Sequence, residues 1–539
     1  MQRLFLGLVA VALVVGCSNK KAGPNGDGGV GGAGGPGGAA VGSGGSGGGS
    51  SGPTANSVYE RNNHASRDGH FLQPTLTKAA AATMAIDSGF AATFTGSTWA
   101  SPLYLENGPG GKGIFIVVTN SNNVFALDET TGATVWMRNI GPAPAISGAG
   151  CGDISPIGII STPVIDPQTR TIYVAGAVGN TTGITGHQIH ALSPEDGTER
   201  AGWPIDVTGM TSGSATFTVK PQNQRSALSL VGGILYVAYG GHNGDCGNYR
   251  GWVVAVNVAD PTKRGAWATG GTRGEGIWAA GGMASDGNGV IAVTGNNLTR
   301  TATHADSEQV VRLTGLATLD RTTNANIFYP TTWMNMDSVD ADFGASSPVY
   351  LAQPSPMVAA VSKDGILYLV DAHNFGGMNS QLAMLTLATG GAMVIHTTPA
   401  AYATAQGMHV VLTVNTGAQC TGPGANGKAV ISVLIPSGSP PVPKVAWCIP
   451  VNNATLGFPA SPMATTTDGS ANAIVWFMNG TKLMGVDGDT GATVFDGVLA
   501  ADGGAANACA GVHKWTAPIA VKGRIVVAGD NHLCSWSPH

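Results

Sequence analysis

Residues 122–136 read NNVFALDETTGATVW, and residues 483–495 read LMGVDGDTGATVF in the same register. In each an apolar run breaks at an Asp, turns at a Gly and resumes toward an aromatic. The turn position of Asp128 recurs, with decay, at Ser193, Asn257, Thr314, Asp371, Ile435, Asp487 and about Ser537, at gaps of about 50 to 65 residues. A period of that length means stacked units, none of which can bury its own apolar face alone. This repeat constrains the fold more than anything else in the chain.

Inside one repeat the pattern is strand-like. The first reads SPLYL (101–105), GIFIVV (113–118), NVFALD (123–128) and TVWMRN (134–139), short β-branched and aromatic runs parted by Gly, Asn and Thr. Only TKAAAATMAI (77–86) hints at a helix, and it is expected to be short and to precede a strand. Four antiparallel strands per repeat around an axis make a β-propeller, here all-β with eight blades. The last repeat ends at His539 after its third strand, so the segment near 83–95 is expected to supply the fourth and close the ring. Asp and Gly make the turn between the third and fourth strands. Trp136 falls on the outer strand, with counterparts at Trp203, Trp267, Trp333, Trp447 and Phe495, read as packing wedges between blades.

The propeller is assigned to residues 57–539, and what precedes it is of another kind. Residues 1–17, MQRLFLGLVAVALVVGC, have one Arg, an apolar run and small residues before a Cys, the build of a secretory signal. Val14-Val15-Gly16-Cys17 resembles a bacterial lipobox, which implies cleavage before Cys17 and lipidation of its thiol. Residues 18–56 are a Gly/Ser-rich tether, expected to be flexible and to reach roughly 30 Å by square-root scaling. Ser18 and Lys20 do not resemble an inner-membrane retention signal, so the expected location is the outer membrane of a bacterial cell envelope. A formal net charge of −5 and no basic run argue against nucleic acid as a partner.

Six cysteines remain after Cys17, an even number that suggests disulfides in an exported chain. Cys420 and Cys448 lie in one repeat, Cys509 and Cys534 flank the last, and Cys151 and Cys246 remain, both on loops of one face; these three pairs are expected. No spacing is C-x-x-C, so neither a zinc site nor a haem attachment is expected.

In a four-stranded blade the loops between the second and third strands open on the same face as the loops between blades. That face collects CGDISPIG (151–158), HNGDCGNYRGW (242–252), GEGIWAAGG (274–282), TGNN (294–297), DSVDADFGASSP (337–348) and SKDG (362–365). Carboxylates and amides suit calcium, and a quinone needs a cation near its carbonyls and a flat apolar floor.

The phrase A-L-D-x-x-T-G-x-x-x-W resembles the blade motif of the pyrroloquinoline quinone (PQQ) propeller family, the eight-bladed quinoprotein alcohol dehydrogenases, over roughly residues 58–539. The resemblance extends to the mouth in chain order. IAVTGNN looks like the family's T-G-N motif and implies calcium binding by Asn296. Trp278, eighteen residues earlier, matches the Trp on which PQQ stacks. DADFGA is similar to the segment of the catalytic Asp and implies Asp342 as base and further metal ligand. SKDGILYLVD implies a quinone contact by Lys363. GDCGNYRGW loosely matches the segment of a calcium-binding Glu and implies Asp245 with one residue offset.

The departures point the other way. The family's adjacent cysteine pair over the cofactor has no counterpart in STPVIDPQ (161–168), and no haem motif is present. The chain looks closest to a branch of exported proteins with PQQ-type repeats and no established activity. Two readings follow. One is an anchored lipoprotein whose mouth is a degenerate PQQ-type site, binding a small molecule, a glycan or a protein. The alternative is a PQQ- and calcium-dependent alcohol or sugar dehydrogenase passing electrons to a separate carrier.

Overall fold

The computed structural model describes residues 56–391, 395–453, 458–497 and 508–539. Cys17 and the tether up to residue 55 therefore lie outside the described residues. The described chain is an all-β propeller of eight blades, each built on four antiparallel positions. Blade one runs outward from the axis through Leu103–Leu105, Ile114–Val118, Asn123–Asp128 and Thr134–Asn139. Blade eight takes three strands from the C-terminus, and Met84–Ile86 adds antiparallel to His532–Pro538 as the fourth. The helix expected before that strand is one turn, Lys78–Ala81.

The repeated phrase builds the turn as expected, at the face opposite the mouth. Asp128 Oδ1 accepts from the N–H groups of Thr130 and Thr131 and from the Thr131 hydroxyl, and Gly132 takes φ 75°. Asp487 and Gly491 repeat the arrangement in blade seven. The Gly has a second duty. Trp136 Nε1 donates to Pro194 O at 2.8 Å, and its ring lies on Gly197, where a Cβ would come within 2.7 Å. Trp447 makes the same bond to Gly488 O and lies on Gly491. One blade's Trp thus covers the next blade's turn, which joins neighbours by an aromatic face that no side chain interrupts.

Two of the expected wedges are corrected. Trp333 is not on an outer strand but opens the helix Trp333–Val339, because the outer edge of blade four is made by Ile327–Tyr329, with Gly377–Met378 added in parallel. Trp203 stands just before the two-residue outer strand Ile205–Asp206, in the turn leading to it. Blade four is the most altered blade. Its innermost position is a single bridge, Ala284 to Ile291.

A second phrase, at the start of the inner strands, holds the axis. It reads WASP (99–102), ISTP (160–163), ASSP (345–348), HTTP (396–399), PASP (459–462) and WTAP (515–518). The N–H of its third residue donates to the hydroxyl at the same place in the next blade: Ser101 to Thr162 Oγ1, Thr398 to Ser461 Oγ and Ala517 to Ser101 Oγ. The phrase thus satisfies backbone donors that the convergence of strands would leave unpaired.

Residues 58–73 form a strap that visits every blade around this axis. Val58 pairs with Tyr104, Tyr59 O accepts from Ile165 N, Ala65 O from Ser285 N, Ser66 O from Tyr350 N and Asp68 O from Ala401 N. His70–Leu72 adds parallel to Met463–Thr466 of blade seven, and Gln73 bonds Ala520 and Gly523 of blade eight. Arg67 reaches blade three at Leu228 O and Ser229 Oγ. The strap separates two cavities on the axis, one of about 500 Å³ at the mouth and one of about 480 Å³ at the opposite end.

Candidate functional site

The mouth cavity is walled by the residues that begin the inner strands and by the loops between second and third strands. A volume near 500 Å³ is in the range of small-molecule sites. Its two sides differ in charge.

On the acidic side, Asp342 precedes the inner strand of blade five. Its Oδ1 accepts from Asn296 N–H at 2.7 Å and its Oδ2 from Lys363 Nζ at 2.6 Å. Lys363 also donates to Asp340 at 2.8 Å. Burial works against the Lys363 charge, but the carboxylates of Asp342 and Asp340 outweigh it and hold the ammonium above its ordinary value. Burial, then the Asp342 charge, pushes Asp340 up to about 6. The loop TGNN grips two carboxylates by successive amides, because Asn297 N–H donates to Asp337 Oδ1 at 2.7 Å. Asn296 itself is buried, and its Oδ1 has no partner.

Trp278 is the wall between the two sides. Its ring lies against Gly240, Gly276 and Gly295, where an added Cβ would fall 1.6 to 2.9 Å from it. Only glycine permits that approach, so the indole sits flush with the backbone of one strand, Ile234–Gly241, and two loops. Tyr249 meets it edge-on and donates to Asp245 Oδ1 at 2.6 Å.

The basic side was not legible as a site. Arg225 donates Nε to Trp278 O at 2.6 Å, and its guanidinium lies 4.4 Å from the centre of the Trp515 ring. Lys514 sits between Trp515 and Phe458, at 4.6 and 5.2 Å from their centres, and pairs with Asp153 at 3.2 Å. Burial lowers both cations, Arg225 to about 10. Burial, with Lys363, Arg225 and Lys514 adding to it, holds His396 well below its ordinary value and so neutral.

Behind the acidic side lie carboxyl groups sealed from solvent. Glu275 and Glu308 are fully buried, and each leaves its Oε1 without a partner. Burial pushes Glu275 up to about 8 and Asp337 up to about 6; burial and the Asp342 charge hold Glu308 well above the usual range. Asp245, Glu275, Glu308 and Asp340 all adopt left-handed backbone, with φ between 48° and 61°. Such strain in non-glycine residues persists only where the surroundings enforce it, and it collects at functional sites.

The structure brings Trp278, Asn296, Asp342 and Lys363 together as the sequence implied. Asp245 lines the same cavity, but it bonds Tyr249, and no hydrogen bond joins it to Asn296 or Asp342. All three cysteine pairs form as expected: Cys151–Cys246, Cys420–Cys448 and Cys509–Cys534. The first ties the loop before blade two to the blade-three loop at the rim. Arg225, His396, Phe458, Lys514 and Trp515 were missed. A signal for some of them existed: His396 and Trp515 hold the first place of the inner-strand phrase, Phe458 and Lys514 immediately precede it, and Arg225 opens RSAL (225–228), where blade three carries the phrase without its Pro.

Fold and mouth together define an eight-bladed propeller of the architecture found in quinoprotein alcohol dehydrogenases. Comparison with solved structures finds a quinohemoprotein alcohol dehydrogenase of Comamonas testosteroni (TM-score 0.61, 14% identity, 89% of this chain and 80% of that one). A second, from Pseudomonas putida, aligns with TM-score 0.62 at 13% identity over 90% and 80%. A europium-containing methanol dehydrogenase aligns with TM-score 0.54 at 14% identity over 88% and 89%. Identities this low speak for the fold alone. No protein-family model and no curated protein sequence matches the chain.

Proposed function

We propose that this chain is an exported, lipid-anchored propeller whose mouth binds a small molecule in a partly retained quinone-type site. The buried, unpartnered Oδ1 of Asn296 carries this reading, because a closed acceptor without a donor is what a cation site offers before it is filled. Trp278 gives the flat wall beside it. Asn296 and Asp342 fit a cation in part; among the described residues no three carboxylate or imidazole groups of the mouth converge on one point. PQQ, when bound, would supply the two-electron acceptor that the chain lacks. The residues themselves orient and polarise: Lys363 holds Asp342 and Asp340 in place, and the backbone N–H of Asn296 holds the other oxygen of Asp342.

The dehydrogenase reading has one specific observation in its favour. Lys363 contacts Asp342 at 2.6 Å, and each carboxylate oxygen keeps a lone pair with which Asp342 could take a substrate proton. Against it stands STPVIDPQ, which enters the inner strand of blade two with no cysteine pair. Titration with PQQ and calcium, followed by absorbance and thermal melting, separates the two. Binding at a hundredfold excess over Kd adds about 2.7 kcal/mol of stability, a shift of roughly a few degrees. A shift without alcohol turnover supports the binding module; turnover abolished by Asp342→Asn would establish the enzyme; no shift would remove the quinone from the proposal.

Anchoring rests on the lipobox-like residues up to Cys17. Cys17→Ser should move the protein from the membrane to the soluble fraction, and an unchanged membrane fraction would end this part of the reading.

A further inference from the structure

The cavity of about 480 Å³ at the other end of the axis shares no residue with the mouth. Residues 64–70 of the strap form its floor, and the inner strands and turns of blades four to seven form its walls. Its charged groups are answered from within the fold. Asp68 lies 2.8 Å from His64 Nδ1 and accepts from Ser66 Oγ at 2.8 Å and from His70 N–H at 3.0 Å. Asp286 accepts from Arg312 Nη1 at 2.7 Å and from Asn288 N–H at 2.9 Å. Among the described residues, no buried polar atom without a partner belongs to a residue lining this cavity, whereas two belong to residues lining the mouth, His242 Nδ1 and His396 Nε2.

We propose that this second cavity binds the alkyl chain of a small, neutral molecule. The inference goes beyond the reading of the mouth and stands without it. Three features set the class. With the charged groups paired, the wall that remains is carbon: Ala65, Leu351, Ala352, Ala401, Ala403 and Met408, short aliphatic groups and one pliable thioether. Space continues past Gly287 and Gly469 at the rim, where an added Cβ would meet nothing within 4 Å. A flat ring finds less to hold it, because Tyr402 is 1% exposed, lies parallel to His409 with ring centres 5.1 Å apart, and spends its hydroxyl on Gly488 O. A charged group of either sign is disfavoured. His64 pairs with Asp68 and Arg312 with Asp286, so an ion entering the cavity would shed water without gaining a counter-charge. What is left to drive binding is the removal of apolar surface from water, in a volume of small-molecule size.

The full chain is titrated by calorimetry with octanamide, with octanoate and octylammonium, which carry the same chain on a charged head, and with hexanamide. The expected result is that octanamide binds at least tenfold tighter than either ion. Hexanamide should bind about tenfold weaker than octanamide, the effect of two methylenes withdrawn from water. Ala352→Trp fills the cavity from an exposed position, where the fold tolerates it, and should weaken octanamide tenfold or more. Met408→Gln places an amide in the apolar wall and should weaken it less. No binding of octanamide, binding as tight for either ion, or binding that Ala352→Trp leaves unchanged would each overturn the proposal. A lipid could bring the same chain, so the Cys17→Ser protein is also spun down with phosphatidylcholine vesicles. The expected result is no sedimentation; sedimentation that Ala352→Trp abolishes would overturn the small molecule in favour of a membrane lipid. None of these outcomes depends on PQQ or calcium, so the reading of the mouth can fail while this one holds.

Discussion

Two regions stacked on the same axis treat buried charge in opposite ways. In the strap, Arg67 is 0% exposed and donates four hydrogen bonds, to Met283 O, Arg61 O, Leu228 O and Ser229 Oγ, with the Glu60 carboxylate 2.9 Å from its Nη1 as an ion pair. Arg61 is likewise shared between Asn62 Oδ1, Ser101 Oγ and Trp515 O. In the mouth just above, Arg225 spends one donor, and Asn296, Glu275 and Glu308 keep acceptors that nothing answers. Both regions are polar and enclosed. A saturated network stabilises and specifies; an unsaturated one destabilises unless something arrives to complete it. The difference marks the strap as structure and the mouth as a site.

The largest expected effect falls on the strap. Arg67→Met leaves Glu60 unanswered and frees three carbonyls at the meeting point of several blades. Breaking a buried ion pair by removing one partner costs about 3–5 kcal/mol, visible as a lower denaturant midpoint. A loss below about 1 kcal/mol would show that the strap is not held by these bonds.

The mouth should respond in the opposite sense. Glu275 sits at about 8 in the fold against an ordinary 4.5. Below 4.5 both folded and unfolded chains carry the proton, and stability is full. As pH rises toward 8 the unfolded chain releases a proton that the fold retains, so stability falls across that window and levels above it. Glu275→Gln should flatten this fall and raise the melting temperature at pH 8, by an amount equivalent to about 1–3 kcal/mol, the usual cost of an unanswered buried group. A variant with the same slope as the parent would place the pH dependence elsewhere.

The smallest effect on stability belongs to Asn296→Ala. It removes an acceptor that already lacks a partner, so the ligand-free protein should melt within about 0.5 kcal/mol of the parent. The shift produced by calcium with PQQ should vanish. A large loss of stability without ligand would instead make Asn296 a structural residue, and the contrast between strap and mouth would fail at that position.

Much of this architecture could be read from the chain. The Asp128 phrase repeats because each blade needs the same turn and the next blade's Gly must receive its Trp, so identical local physics writes identical letters. The phrase blurs in blade four, where the bridge at Ala284 and the helix from Trp333 replace regular strands, and there the expected outer Trp was misplaced. The cysteine pairs followed from the repeat each Cys occupies, and closure by the segment near 83–95, observed as Met84–Ile86, from a last repeat one strand short.

What the sequence by itself determined is therefore what repeats: eight blades, their turns, the face on which the mouth opens, and the chain order of Trp278, Asn296, Asp342 and Lys363. What only the tertiary structure decided is what does not repeat. The strap's bonds join Arg67 to Leu228 and Met283, 161 and 216 positions away. Arg225 meets Trp515 across the axis from another blade. Such contacts leave no periodicity, because each residue faces a different blade and takes its partner from wherever the ring happens to close. Local propensity and spacing report on neighbours along the chain; which buried charge is answered, and which is left open for a ligand, is settled only when distant blades converge.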